Sequence, residues 1–217
     1  MAYQHILFDL DGTLTDPSLG ITNSIIYALK KLNITPPDRK ELYCCIGPPL
    51  TYSFKKLWSM SDDKANEALS IYREYFSVKG LFENDIYEGI EPLLKELKEK
   101  GKELYLATSK PEIYAKQILE HFKIDGYFTF VAGNTLSEKR STKLSVLEYL
   151  KKTFPIINNQ NAVMVGDTKY DAEGARAAGL SSIGVLYGFG SRDELVEGGA
   201  AKTAATVNEL RSLLLEE

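Results

Sequence analysis

The segment Ile6-Leu7-Phe8-Asp9-Leu10-Asp11-Gly12-Thr13 sets the organisation of this chain, because an apolar run changes there abruptly into polar sequence. Ile6, Leu7 and Phe8 are too few for a helix and are apolar at consecutive positions. That pattern is typical of a strand buried on both faces of a parallel sheet. We therefore predict a first strand whose carboxyl end presents the carboxylates of Asp9 and Asp11.

Similar apolar runs recur in four later places, at residues 104–107, 128–132, 162–165 and 182–186. Amphipathic helical patterns separate these runs, as at residues 90–97, where apolar residues share one face ahead of Gly101. Strand and helix alternate in this way from Gly89 onward. The alternation predicts an α/β fold with a doubly wound parallel sheet.

Residues 17–84 break the alternation, because they contain only helical patterns. This insertion leaves and re-enters the sheet directly after the first strand, at the end where open α/β sheets bind ligands. We predict an all-helical cap domain at residues 17–84 and an α/β core domain formed by residues 1–16 and 85–217.

The composition limits the partners that this chain can have. Its 217 residues carry a formal net charge of -4, and a mildly acidic surface repels nucleic acid. Its amino-terminal residues do not resemble a secretion signal, and no later stretch approaches the ~20 apolar residues that span a bilayer. The adjacent Cys44 and Cys45 are interpreted as free thiols. We predict a soluble cytoplasmic protein without membrane or nucleic-acid partners, and the sequence carries no signal for oligomeric state.

Polar side chains follow the apolar runs at four places where the carboxyl ends of parallel strands would meet. The candidates are Asp9, Asp11 and Gly12, then Thr108 and Ser109, then Lys143, then Asp167 with Asp171. Two carboxylates after one strand can be ordinary loop residues. Carboxylates from two strand ends, together with a lysine and a hydroxyl at the same edge, indicate a catalytic site.

These residue types suit the chemistry of phosphoryl transfer. Asp9 and Asp167 can converge on a hard cation that prefers oxygen ligands, which favours Mg²⁺. Lys143 would supply a fixed positive charge to the phosphoryl oxygens, and Thr108 a hydroxyl donor. Asp11 is spaced to protonate a leaving group and then to activate water.

Several assignments have simpler alternatives that depend on local structure alone. Thr108 can cap a helix that begins near Pro111, and Asp171 suits the first turn of a helix through the helix dipole. Lys143 competes with other nearby lysines, and Arg140 is either a residue that orients the site or a surface charge.

The sequence resembles the haloacid dehalogenase superfamily over essentially its whole length. Residues 9–14 look like the first motif of that superfamily, and Thr108 looks like its second. Lys143 looks like its third motif, and residues 166–171 look like its fourth. The resemblance implies that Asp9 is a nucleophile and metal ligand, that Asp11 is the general acid/base and binds Mg²⁺ through its carbonyl, and that Asp167 and Asp171 are direct and water-mediated ligands.

Within the superfamily, the chain looks most similar to phosphoglycolate phosphatases and bacterial 5′-nucleotidases, on residues 46–50 and 140–143. This implies a Mg²⁺-dependent phosphomonoester hydrolase of small metabolites, with Ser109, Gly12 and Gly47 as substrate-binding candidates. A phosphomutase acting on hexose phosphates is the alternative, and a non-catalytic binding protein is disfavoured because Asp9 and Asp11 are both present.

Overall fold

The computed structural model describes residues 3–215 and separates into two compact units. One unit comprises Met1–Thr15 and Ile86–Glu217, and the other comprises Asp16–Asp85. Two short segments, β2 (Thr15–Asp16) and β3 (Asp85–Ile86), pair as a two-stranded sheet where the chain passes between the units. None of the described helices combines the length and apolar character that a membrane crossing requires.

The larger unit is built on a six-stranded sheet whose neighbouring strands run parallel in the order β5-β4-β1-β6-β7-β8. The strands are β1 (His5–Phe8), β4 (Glu103–Pro111), β5 (Phe128–Asn134), β6 (Ala162–Gly166), β7 (Ser181–Val185) and β8 (Lys202–Ala204). The predicted α/β fold is confirmed. β8 lies in a part of the chain for which the sequence pattern gave no strand.

Helices connect these strands and cover the sheet. They are α4 (Ile90–Glu99), α5 (Glu112–His121), α6 (Lys143–Thr153), α7 (Lys169–Ala177), α8 (Arg192–Gly198) and α9 (Val207–Leu215). All four residues of β1 are buried, as expected for a central strand covered on both faces. Leu7 belongs to a core cluster with Leu147 of α6 and Ala175 of α7.

The strand order creates a switch point at β1. The chain passes from β1 to β4 on one side and later adds β6 on the other side, so that Phe8 pairs with both Leu106 and Val165. In open parallel sheets, ligands bind outside the carboxyl ends of the strands at such a point. The residues at the carboxyl ends of β1, β4 and β6 therefore lie where this fold would bind a ligand.

The smaller unit is helical. It contains α1 (Ser18–Lys31), a 3-10 helix (Arg39–Cys45), α2 (Leu50–Trp58), α3 (Asp62–Tyr75) and a π-helical turn (Phe76–Gly80). A polar network ties α1 to the end of this unit. Asn23 accepts a hydrogen bond from Arg39 at 2.7 Å and donates one to Glu83 at 2.8 Å, while Tyr75 donates to Glu83 at 2.9 Å.

Candidate active site

Lys143 lies at the centre of a buried cluster of charged side chains in the larger unit. It is the first residue of α6, and its ammonium donates a hydrogen bond to the carbonyl oxygen of Ala107 at 2.8 Å. The same nitrogen lies 2.9 Å from Asp9 Oδ1 and 2.8 Å from Asp171 Oδ1. Since its side chain is only 3% exposed, this lysine holds a fixed orientation towards both carboxylates.

Asp9 directly follows β1, and its backbone amide donates to the carbonyl oxygen of Val165 in β6 at 2.9 Å. That bond continues the pairing between the two strands past the end of β1. It fixes the Asp9 backbone at the sheet edge beside the carboxyl end of β6. Asp9 is the first residue in the chain that projects a carboxylate into this edge.

Asp167 follows β6 and is 1% exposed. Its Oδ2 accepts a hydrogen bond from the amide of Phe189 at 2.9 Å, whereas its buried Oδ1 has no hydrogen-bond partner within residues 3–215. Oxygen atoms of Asp9, Asp167 and Asp171 lie within 4.8 Å of one another. An oxygen that is buried and unpaired beside two other carboxylates is the donor arrangement that a cation satisfies.

Two glycines make room for Asp167. Gly12 has φ +80, and a Cβ there would lie 2.1 Å from Asp167 Oδ2. A Cβ at Gly188 would lie 2.4 Å from Asp167 Cβ. Gly12 is a substrate-binding candidate from the sequence, and its amide donates to the carbonyl oxygen of Thr15 at 2.7 Å. A side chain at position 12 would occupy the space of the Asp167 carboxylate, which explains why a glycine stands there.

The charges in this cluster shift the pKa values of its members. Burial raises the pKa of Asp9 to about 6, with Lys143 acting in the opposite direction and Asp171 adding to the increase. Burial also raises the pKa of Asp167 well above its usual range, and the neighbouring carboxylates of Asp171 and Asp9 raise it further. Although burial alone would lower the pKa of Lys143, Asp171 and Asp9 raise it above its ordinary value.

The cluster therefore fits a divalent cation. The cluster contains three carboxylates, and one ammonium pairs with two of them, so the fully ionised site carries an excess of negative charge in a buried setting. A cation with oxygen ligands stabilises the ionised carboxylates, which offsets the burial and the mutual repulsion that raise the pKa values of Asp9 and Asp167. Asp171 is less available as a direct ligand, because its Oδ1 faces Lys143 and its Oδ2 accepts from the Thr168 amide and hydroxyl at 3.0 Å each.

The carboxylate of Asp11 pairs with a different lysine, Lys110. Lys110 Nζ donates to Asp11 Oδ1 at 2.8 Å and to Oδ2 at 2.6 Å. Both side chains are largely buried, at 5% exposure for Lys110 and 15% for Asp11. The sequence reasoning selected Lys143 and passed over Lys110, although a lysine two residues beyond a candidate hydroxyl at a strand end was a usable signal.

Thr108 and Ser109 lie within β4, since this strand continues to Pro111 and does not end at residue 107. Thr108 is 2% exposed, and its hydroxyl oxygen accepts from the Lys110 amide at 3.2 Å. Ser109 is half-buried. The helix that follows begins at Glu112, so Pro111 precedes α5 and is not its first residue.

Two further residues named from the sequence lie outside these contacts. Arg140 donates to the carbonyl oxygen of Gly133 at 2.9 Å, pairs with Glu112 at 3.2 Å and stacks on the Tyr149 ring at 3.9 Å. It therefore joins β5, α5 and α6. Gly47 is exposed in the helical unit, with φ +103 directly after the 3-10 helix.

The loop after β7 is a part of the site that sequence reasoning missed. The Phe189 amide holds Asp167 Oδ2, and a Cβ at Gly190 would lie 2.1 Å from the Asp167 carbonyl oxygen. The available signal was the pair of glycines around Phe189 immediately beyond a strand, at the same sheet edge as Asp9 and Asp167.

Comparison with known proteins agrees with this geometry. The family model described as haloacid dehalogenase-like hydrolase matches residues 6–185, which include the Asp9, Lys143 and Asp167 positions. The chain belongs to this family. As a member of the haloacid dehalogenase-like hydrolases, it is a phosphatase, in line with the relatives and structures that it resembles.

Three related sequences illustrate the range of names within this similarity. The chain is 41% identical to a 5′-nucleotidase of Pseudomonas aeruginosa over 214 residues, which cover 99% of this chain and 96% of that protein. It is 36% identical to tyrosine-protein kinase PtkA of Mycobacterium tuberculosis, and the match covers 97% of this chain and 72% of that protein. It is 28% identical to a phosphoglycolate phosphatase of Colwellia psychrerythraea, covering 94% of each.

Among solved structures, a protein from Clostridium acetobutylicum described as a predicted phosphatase matches this haloacid dehalogenase-like hydrolase with a TM-score of 0.96. The two are 46% identical, and the match covers 100% of both chains. The resemblance predicted from the motifs, to the phosphoglycolate phosphatase and 5′-nucleotidase group, is therefore confirmed.

Proposed function

We propose that this phosphatase hydrolyses small phosphomonoesters through an aspartyl-phosphate on Asp9 and that it requires Mg²⁺. The observation that carries the proposal is that Asp9 pairs with the buried ammonium of Lys143 and lies in one cluster with the carboxylates of Asp167 and Asp171. A carboxylate beside a fixed ammonium and a cluster that can bind a cation is suited to attack an anionic phosphoryl group.

Asp9 would attack the phosphorus through one carboxylate oxygen, and the bond from phosphorus to the leaving oxygen would break in line with it. Lys143, held by the Ala107 carbonyl oxygen and by Asp171, would stabilise charge on the phosphoryl oxygens without reorganising. Thr108 would donate its hydroxyl hydrogen to the same group. Ser109 would contribute its backbone amide.

Asp11 would give a proton to the leaving oxygen in the first step. In the second step it would take a proton from the water that attacks the aspartyl-phosphate, which releases inorganic phosphate and restores Asp9. Water is the acceptor in this proposal. A sugar phosphate would take its place in a phosphomutase, and a tyrosine hydroxyl in a protein kinase.

Asp9, Asp167 and the Asp11 carbonyl would hold Mg²⁺, with Asp171 acting through water. The buried Oδ1 of Asp167, which has no hydrogen-bond partner among the described residues, supports this assignment. When bound, the cation would neutralise the attacking carboxylate and the phosphoryl oxygens, which reduces the repulsion between two anions.

The substrates that we propose are phosphorylated metabolites of the phosphoglycolate or nucleoside monophosphate type. The names of two relatives, a 5′-nucleotidase and a phosphoglycolate phosphatase, support that range. Because the residues around Asp9 would contact only the phosphoryl group that all such substrates share, we assign discrimination among them to a cap formed by residues 17–84, including Gly47. A cytoplasmic location, where such metabolites occur, belongs to the same proposal.

The test is to trap and locate the phosphoenzyme. Brief reaction of the wild-type protein with labelled acetyl phosphate and Mg²⁺, followed by acid quenching and peptide mapping, should place phosphate on Asp9. Asp9→Asn should abolish the label and lower turnover on the order of 10⁴-fold or more, while the circular dichroism spectrum is retained. A label on serine or histidine would contradict the mechanism, and so would label transfer to an added sugar phosphate without release of inorganic phosphate.

A further inference from the structure

Lys110 is a buried lysine whose ammonium contacts both oxygens of Asp11, at 2.8 Å and 2.6 Å. A lysine that contacts both oxygens of one carboxylate restricts rotation of that carboxylate about its last bond. Asp11 is therefore held in one orientation by a residue to which neither the motif pattern nor the comparisons give a role.

The backbone around Lys110 is itself fixed. The Lys110 amide donates to the Thr108 hydroxyl at 3.2 Å, which makes a closed turn of three residues. On the other side the strand β5 approaches so closely that a Cβ at Gly133 would lie 2.9 Å from the Lys110 carbonyl oxygen. The ammonium thus projects from a rigid base.

An irregularity in the sheet aims this side chain. Ala107 pairs with Ala132 and Pro111 pairs with Asn134, so β4 contains extra residues between these two pairs. Such irregularities change the direction of side chains and recur next to active sites. This irregularity falls on the segment that contains Thr108 and Lys110, at the carboxyl end of β4 and at the edge that also carries Asp9 and Asp11.

We propose that Lys110 is a positioning residue for Asp11, and this inference rests on the proposed function. It holds the carboxylate towards the place where the leaving oxygen departs and where water later attacks. One oxygen can remain hydrogen-bonded to the ammonium while the other exchanges a proton with the substrate. Lys110 then acts on catalysis through Asp11 and not through the phosphoryl group.

The chemistry of the substrate separates these two modes of action. Activated aryl phosphates leave with little help from an acid, whereas alkyl phosphates need a proton on the leaving oxygen. We expect Lys110→Met to slow alkyl phosphate turnover and phosphoenzyme hydrolysis by about 30-fold or more, within the range that general acid–base catalysis contributes. The burst of p-nitrophenol from p-nitrophenyl phosphate should change by less than about 3-fold, since Asp9 and Lys143 stay intact.

The decisive comparison adds Lys110→Met to a protein that already carries Asp11→Asn. If Lys110 acts only through Asp11, the double variant Asp11→Asn/Lys110→Met should be no slower than Asp11→Asn alone. Lys110→Arg should recover part of the alkyl phosphate activity, because a guanidinium can also contact both carboxylate oxygens. Lys116→Met is the matched control: Lys116 is 52% exposed and pairs with Glu112, so its loss should leave both activities unchanged.

Lys110→Gln replaces Lys110→Met if the latter does not fold. A further loss in the double variant, or an equal loss in the rate of phosphoenzyme formation from aryl and from alkyl substrates, would overturn the positioning role and assign Lys110 to the phosphoryl group. No loss in Lys110→Met would overturn it as well. Absence of any phosphoenzyme in the wild-type protein would instead overturn the proposed function, and the positioning role with it.

Discussion

The two groups of carboxylates at this sheet edge differ in how their charge is balanced. In the first group, Asp9, Asp167 and Asp171 lie together, and Lys143 pairs with Asp9 and Asp171. In the second, Asp11 has Lys110 against both of its oxygens. The first group carries an excess of negative charge in a buried place, whereas the second forms a one-to-one ion pair.

This difference separates two tasks. An excess of buried carboxylates binds a cation, because the free energy of their mutual repulsion is recovered when the cation enters. A balanced pair has no such need, so its carboxylate can be reserved for proton transfer. The residues of each group should therefore respond to different experimental variables.

Magnesium should distinguish the two groups most strongly. Asp167→Asn removes a charge from the first group, and we expect the Mg²⁺ concentration for half-maximal activity to rise at least about 100-fold. Lys110→Met changes only the second group and should leave that concentration unchanged. Calorimetric titration of Mg²⁺ into each protein provides a readout that does not depend on activity.

Full activity of the wild-type protein in excess chelator would contradict this prediction. An equal rise for both variants would show instead that the two groups form one electrostatic unit.

Calcium should bind to the wild-type protein yet support little turnover, because its larger and looser coordination disturbs the in-line geometry.

Metal-free stability should reveal the charge excess of the first group. Because the pKa of Asp9 is about 6 when folded and 3.8 in a model peptide, the folded protein binds more protons between these values. The free energy of unfolding should therefore fall as pH rises from about 4 to about 6. Asp9→Asn should remove the part of this fall that Asp9 contributes and leave the part due to Asp167, so that the stability of the variant relative to the wild type rises by on the order of 2 kcal/mol.

Urea denaturation at several pH values in a chelating buffer measures this difference. Added Mg²⁺ should restore the wild-type protein at pH 7, because it binds the ionised cluster. The same pH dependence in both proteins would show that Asp9 ionises in the folded state as it does in the unfolded chain, and would contradict the raised pKa of Asp9.

The smallest effect should come from outside both groups. Gly47 is exposed in the helical unit with φ +103, so a bulky residue there adds volume and strains the local turn. We expect Gly47→Leu to change the ranking of phosphorylated metabolites by roughly 3- to 10-fold in kcat/KM, which corresponds to about 1 kcal/mol. Phosphoenzyme formation from acetyl phosphate should be unaffected. A uniform change across all substrates would place the specificity residues elsewhere in residues 17–84.

Most of the α/β fold was predictable because its signals are local. Short apolar runs separated by amphipathic helices predicted the strands β1, β4, β5, β6 and β7, and Lys143 begins its helix as expected. Boundaries were less predictable. β4 extends to Pro111 because an irregular pairing with β5 keeps it in the sheet, and nothing in residues 108–111 signals that pairing.

The sequence by itself determined which residue types follow the strands, and therefore the candidate chemistry at Asp9, Asp11, Lys143 and Asp167. Their pattern depends on neighbours along the chain. Only the tertiary structure decided which lysine faces which carboxylate, because Lys110 and Asp11 are 99 residues apart in the sequence. The same holds for Phe189, whose amide reaches Asp167 across a loop whose path depends on β7 and the glycines packed against Asp167.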